Sequence, residues 1–345
     1  MSPVDILLIG GTRNVGHHLA VALTARGHHV TTFNRGLTPD ELGARVERLH
    51  GDRTVPGELR RAIAGRSFDA AIDTIAMRGS DTRAAVEVLD GRIGHYVHFS
   101  TGQVYLVRNG CPTPASEEDY EGPLVPAPFA GTWEAGEWRY GIEKRECEDA
   151  LQEAWGARRF PSTRLRLPMI HGERDHYGRI HGYILRIVDG GPLLVPEEPG
   201  PPIKHVDQAD VVDAVARIVE TGAGKGRAYN LAQGDSWSFD EFLDRLADLL
   251  GATPRLVRRP RHELVQAGLF PACSPLSNPW MSVLDNRRAR EELGLSFRGL
   301  DDYLPSLVEH LRREGLDPPA AYVVQRERER AIAMAPPAPA PRPAR

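Results

Sequence analysis

The sequence predicts an α/β protein built on a doubly wound parallel sheet, with a smaller C-terminal lobe. Three observations carry this expectation. Short apolar runs alternate with amphipathic helical stretches through the first half of the 345 residues, as in strands joined by helical crossovers. The first apolar run ends in two glycines and passes at once into a helical pattern, "GGTRNVGHHLAVAL". Beyond residue 167 the texture changes to Gly- and Pro-rich passages such as "DGGPLLVPEEPGPPIKHV", which suit the loops of a second lobe.

Taken in order, strands are expected over residues 5–9, 29–33, 70–73, 95–100 and 162–167, with a further one leading into "RLHGDR". A helix opens after the glycine turn. Another is predicted at "DTRAAVEVLDG", where Ala84, Ala85, Val88 and Leu89 share one face. Later in the chain, "DQADVVDAVARIVE" and "SFDEFLDRLADLLG" have helical periodicity, and Ser238 with Glu241 three residues on forms the capping signature of the second. The resulting domain expectation is 1–167 for the sheet domain and 168–315 for the lobe, with segments returning to the sheet. Residues 316–345 are expected as a tail. Its Pro/Ala-rich end, "AMAPPAPAPRPAR", is too low in complexity to offset its ordering entropy and is expected to be disordered.

Composition narrows the function. With 43 Lys and Arg against 47 Asp and Glu, the net charge is −4 and both signs are scattered, so neither a nucleic-acid nor a membrane surface is expected. Cys111, Cys147 and Cys273 form no C-x-x-C pair and are odd in number, as expected of reduced thiols in the cytoplasm. The N-terminal apolar run is too short for a secretory signal, and no stretch approaches the roughly 20 apolar residues of a membrane span. His17, His18, His28 and His29 cluster without carboxylate or cysteine partners, so no metal site is expected.

The glycines suggest a cofactor. Gly10 and Gly11 allow a tight turn and Gly16 lets the helix approach the strand, so backbone N–H groups along Thr12, Arg13, Asn14 and Val15 can face a pyrophosphate. An NAD enzyme usually places an acidic residue at the end of the second strand, on the adenosine ribose; here Asn34 and Arg35 stand there. Arg13 and Arg35 can converge on a 2′-phosphate, which favours NADP slightly over NAD. The alternative leaves both arginines solvated and gives the ribose hydroxyls to Asn34. Asp52 is a candidate acceptor for the adenine amino group, or else a helix cap.

Chemistry enters at "WRYGIEKRECEDAL", where Tyr140 and Lys144 lie four residues apart and project from one helix face. A neighbouring ammonium favours the phenolate of a tyrosine whose ordinary pKa is about 10, allowing proton exchange with a substrate hydroxyl while hydride moves. Upstream, "YVHFSTGQVY" is a strand ending in hydroxyls, and Thr101 is placed to bond the same substrate oxygen.

"GGTRNVG", "HFSTGQVY", "YGIEK", "TRLRLPMIHG", "KHVDQADVVDAV", "YNLAQGDSWSFDEF" and "DNRRAREELG" together resemble, in order, the extended short-chain dehydrogenases/reductases of the NAD-dependent epimerase/dehydratase family, over residues 4–312. The resemblance implies a Rossmann domain with a substrate lobe, Thr101, Tyr140 and Lys144 as the catalytic set, Lys144 on the nicotinamide ribose and Pro168 near the nicotinamide. It also implies that the segment holding Arg174, His176, Tyr177 and Arg179 lines the substrate cleft. Departures narrow the reaction. The residues that are acidic after the threonine in the dehydratases are Gly102 and Gln103 here, and Gln103 also replaces the cysteine of the 3,5-epimerases. Lys204 stands for the arginine that helps bind a nucleotide diphosphate. The expected function is therefore an NAD(P)-dependent epimerase of a sugar, nucleotide-sugar or nucleoside-like substrate, with Gln103 and Lys204 also at the substrate. An NADPH-dependent ketone reductase is the alternative. The "GGTR" and "FNRG" variants further resemble the chloroplast stem-loop RNA-binding proteins, which leaves an RNA-binding relic as a reading from another class. A small polyhydroxylated molecule is the expected partner, and a homodimer is the assembly allowed for.

Overall fold

The computed structural model describes residues 2–336. In chain order the first elements are β1 (Asp5–Ile9), α1 (Asn14–Ala25), β2 (His29–Asn34), β3 (Glu47–His50), α2 (Glu58–Ala62), β4 (Phe68–Asp73) and α3 (Gly79–Leu89). Then come β5 (Ile93–Thr101), α4 (Gln103–Leu106), α5 (Trp133–Arg158), β6 (Ser162–Leu167), β7 (Ile170–His171), α6 (Arg179–Val188) and β8 (Pro192–Pro196). The remainder comprises β9 (Val206–Asp207), α7 (Gln208–Thr221), β10 (Ala228–Asn230), α8 (Phe239–Leu250), β11 (Arg255–Arg259), α9 (Arg261–Gln266), α10 (Arg287–Leu293), α11 (Leu300–Glu314) and α12 (Ala320–Met334).

The chain forms two compact units. The first takes the residues up to His176, then Lys204–Gly234 and Ser282–Gly299. It holds a seven-stranded sheet in the order β10-β6-β5-β4-β1-β2-β3. Its strand pairs are parallel throughout, with Ile9 beside Phe33 and Asp73 at the carboxyl ends. Because β1 lies between β4 and β2, the crossovers reverse direction there, and the carboxyl ends of β1 and β4 flank the switch point where such sheets bind ligands.

Strands covered on both faces are apolar throughout, and alternate side chains serve opposite cores. Ile6 and Leu8 pack with Leu19 and Leu23 of α1, with Val211, Val215 and Ile218 of α7, and with Ala289 of α10. Leu7 and Ile9 pack on the other face with Leu59, Val86, Leu89, Leu151 and Phe160. The expected strands are present, lengthened by one to two residues at some ends, and β10, only three residues long, is an addition.

The second unit takes Tyr177–Ile203, Asp235–Met281 and the chain from Leu300 on. There β8 and β11 pair in parallel, and Ser238 caps α8 by accepting from Glu241 N while the Glu241 carboxylate accepts from Ser238 N. The region expected as a tail contains α12. Glu329, fully buried, pairs with Arg186 of α6 at 2.6 Å, and Arg326 bonds Asp189 and the Pro192 carbonyl. The Pro/Ala-rich end from residue 337 lies outside the described residues.

Candidate functional site

The glycine turn takes the geometry its sequence requires. Gly10 and Gly11 have φ of +112° and +92°, where a side chain is strained. A Cβ on Gly10 would also lie 2.4 Å from Thr74 Oγ1, and one on Gly16 would lie 3.0 Å from Gly11 N. The backbone is thus bare where α1 begins. No side chain caps α1 and no acidic residue stands in its first turn, so its N-terminal N–H groups and positive dipole end face outward at the switch point. Asn14 has a positive φ of 45° and its buried Oδ1 has no hydrogen-bond partner among the described residues. This cradle of backbone donors without Cβ atoms fits a pyrophosphate.

At the end of β2, Asn34 is committed to the scaffold: its amide donates to Gly10 O at 3.2 Å and its Oδ1 accepts from Gly36 N at 2.9 Å. It joins the two loops that border the cradle, which leaves less of it for ribose hydroxyls. Arg13 and Arg35 are exposed and make no hydrogen bond or ion pair among the described residues. Asp52 accepts from the Thr54 N–H and hydroxyl, which hold its carboxyl below the usual range. It closes a local turn and caps no helix, since α2 begins at Glu58 with Gly57 as its N-cap.

Thr132 caps the N-terminus of α5 through Ala135 N. One turn apart on this helix, Tyr140 is partly exposed and Lys144 is only 4% exposed. The Lys144 ammonium donates to Ala76 O at 2.8 Å and to Phe99 O at 2.5 Å, and burial lowers its pKa. Two of its three donors are used by carbonyls and one remains. Thr101 ends β5 and accepts from Gln103 N, while Gln103 donates its amide to Glu137 of α5 at 2.5 Å. Pro168, directly after β6, is buried. Thr101, Tyr140 and Lys144 are thus carried by β5 and α5, which pack together.

Other predicted residues are placed differently. Arg174 pairs with Glu41 in the loop after β2, and its charge reaches His17 of α1, so it borders the glycine-turn side of the sheet domain. Lys204 donates to Gly234 O at 3.0 Å. His176 ends the first unit's leading segment, whereas Tyr177 and Arg179 belong to the second unit, where the guanidinium lies 4.4 Å over the tyrosine ring. None of these contacts links them to Thr101 or Lys144.

Sequence reasoning missed the buried polar groups beneath the site. Asp73, fully buried, accepts from Arg53 Nη1 at 2.5 and 2.6 Å and from Tyr96 OH at 2.5 Å. Burial alone would raise its carboxyl, but Arg53 holds it at about 2. Behind α5, Glu148 accepts from Ser100 Oγ and from Arg166, whose Nη1 donates to Tyr105 OH, which donates to Asn230. Burial would raise Glu148 as well, and Arg166 keeps it at about 2. His98, on β5 with Ser100, is fully buried with neither ring nitrogen hydrogen-bonded among the described residues, and burial with the Lys144 charge lowers it to about 3. A Cβ at Gly102 would lie 2.0 Å from Ser282 Oγ, so any side chain at that position must displace Ser282.

The sheet order, its switch point and the bare glycine turn decide the architecture. The fold is Rossmann-like. Comparison with known proteins agrees. Residues 6–90 match the model of the NAD dependent epimerase/dehydratase family. Over 71% of its length the chain is 24% identical to 2′-dehydrokanamycin reductase of Streptomyces kanamyceticus. Over 30% it is 28% identical to the 41 kDa chloroplast stem-loop binding protein b of Arabidopsis thaliana. These matches span 66% and 31% of the two relatives. Among solved structures, Bordetella bronchiseptica WbmG with NAD and UDP has a TM-score of 0.70 at 19% identity, covering 91% of this chain and 97% of that one. Thermotoga maritima UDP-glucose 4-epimerase with UDP-glucose has a TM-score of 0.71 at 18% identity, covering 90% and 99%.

Proposed function

We propose that this protein is a nicotinamide-dependent oxidoreductase of the epimerase/dehydratase type that moves hydride at a carbinol of a sugar-like substrate. The pairing of Tyr140 with the buried Lys144 on one face of α5, which packs against β5 ending at Thr101, carries this reading. The cradle at Gly10, Gly11 and Gly16 holds the dinucleotide pyrophosphate on backbone N–H groups. When bound, the nicotinamide supplies the hydride acceptor and donor. Tyr140 takes the proton from the substrate oxygen on oxidation and returns it on reduction, Lys144 favours the phenolate and offers its third donor to the nicotinamide ribose, and Thr101 orients the same oxygen.

Inversion by transient oxidation and re-reduction is the reaction we favour for this set, since no acid for elimination follows Thr101 and Ser282 occupies the space beside Gly102. Net reduction is the second reading, and the similarity to a reductase supports it. The ultraviolet and mass spectra of the denatured protein separate the two: retained cofactor accords with internal recycling, and an empty protein with exchange at each turnover. In a substrate panel, Tyr140→Phe should keep the fold and cofactor binding while turnover falls by about 10²- to 10⁴-fold. Thr101→Val should cost less. Near-normal turnover in Tyr140→Phe would overturn the mechanism, and salt-dependent binding of structured RNA would then support the similarity to the stem-loop binding protein.

A further inference from the structure

The loop between β4 and α3 is held to an unusual degree. Thr74 N donates to Ile9 O, and the next four backbone N–H groups all go to carboxylates: Ile75 and Ala76 to Asp73 Oδ1 at 3.1 and 3.0 Å, Met77 and Arg78 to Asp81 Oδ2 at 3.1 Å each. Arg53 closes the loop from below, since Nη1 binds the Asp73 carboxylate while Nη2 donates to Asp81 O at 2.9 Å. Tyr96 OH takes the remaining Asp73 oxygen. With its N–H groups committed, the loop has one direction for the Ala76 carbonyl, and that carbonyl accepts from Lys144 Nζ. The other end of the same loop abuts the glycine turn, where Thr74 Oγ1 fills the space a Gly10 side chain would need.

We propose that Asp73, clamped by Arg53, is a positioning residue that sets Lys144 through the Ala76 carbonyl and ties it to the glycine cradle. This rests on the reading of Lys144 as a cofactor-holding residue. Neither Asp73 nor Arg53 touches substrate. Their effect passes through one peptide group, so removing them and removing Lys144 must not be independent losses.

The test is a double-mutant cycle read by NADH binding to the full chain at pH 7. Asp73→Asn alone strands the Arg53 charge and risks misfolding, so the charge-neutral pair Asp73→Asn with Arg53→Gln is used beside it, with a cooperative thermal transition as the folding check. Lys144→Met and the neutral pair should each weaken NADH by about tenfold, the scale of one charge-assisted hydrogen bond. The combined variant should bind within about twofold of Lys144→Met alone. Arg53→Lys, which keeps the charge, should recover part of the loss. A multiplicative loss in the combined variant, or wild-type affinity in the neutral pair while Lys144→Met is weakened, would overturn the proposal and leave the reading of Lys144 standing. Unchanged affinity in Lys144→Met would overturn that reading and the proposal together.

Discussion

At the residue scale, the site combines groups paired by local spacing with groups paired across the assembled sheet. Tyr140 and Lys144 reveal themselves by a four-residue spacing, and Gly10, Gly11 and Gly16 by their place after an apolar strand. Arg53 and Asp73 have no such signature, because their partnership spans 20 residues and is made only when β4 is laid beside β1. Arg166 and Tyr105 are 61 residues apart, and Asn230 a further 64 beyond Arg166, so their network exists only in the assembled sheet. Asn34 is recognisable by its place at the end of β2, but its bonds to Gly10 O and Gly36 N, which hold the two loops together, are made only in the assembled sheet. Two buried histidines of β5 give a prediction. Burial lowers His98 to about 3 and His95 to about 4, in each case helped by a lysine charge. Each is neutral in the fold and protonates near 6.5 when unfolded, so the unfolded state binds more protons as pH falls below 6.5. Stability should therefore decline from pH 6.5 toward 4, by about 1.4 kcal/mol per pH unit for each group once fully protonated in the unfolded chain. Urea unfolding at several pH values measures this slope. His98→Leu should reduce the slope by about 1.4 kcal/mol per pH unit below pH 6, and an unchanged slope would show that His98 does not contribute to it.

At the element scale, strands and long helices followed their periodicity closely, as Asp5–Ile9, Ser162–Leu167 and the capped α8 show. The helix α12 does not announce itself by apolar periodicity, because the side chains it buries are the charged Arg326 and Glu329. Its anchor is Glu329, whose partner Arg186 lies 143 residues earlier. Breaking one side of a buried ion pair leaves the other charge uncompensated, which costs about 3–5 kcal/mol. Glu329→Gln should lower the stability of the second unit by that amount in denaturant unfolding, with NADH binding retained because the glycine cradle and Lys144 belong to the first unit. Loss of cofactor binding with unchanged stability would contradict this division of roles.

At the scale of the whole molecule, the order of the sheet brings the carboxyl ends of β1 and β4 side by side and sets α5 against β5, so the glycine turn, the loop after β4 and the buried Lys144 are neighbours within the first unit. Among the described residues, no helix is long and apolar enough to cross a membrane, and no cluster of His, Cys, Asp or Glu suits a metal ion. The proposed hydride transfer needs a bound dinucleotide at the glycine turn. Calorimetric titration of NADH and NADPH into the wild-type protein and Arg35→Ala tests it most directly. Wild-type protein freed of any retained nucleotide should bind saturably. If Arg13 and Arg35 grip a 2′-phosphate, Arg35→Ala should weaken NADPH about 10- to 150-fold more than NADH. A wild-type protein that carries no nucleotide as isolated and takes up neither NADH nor NADPH would contradict the reading of the glycine turn as a dinucleotide site.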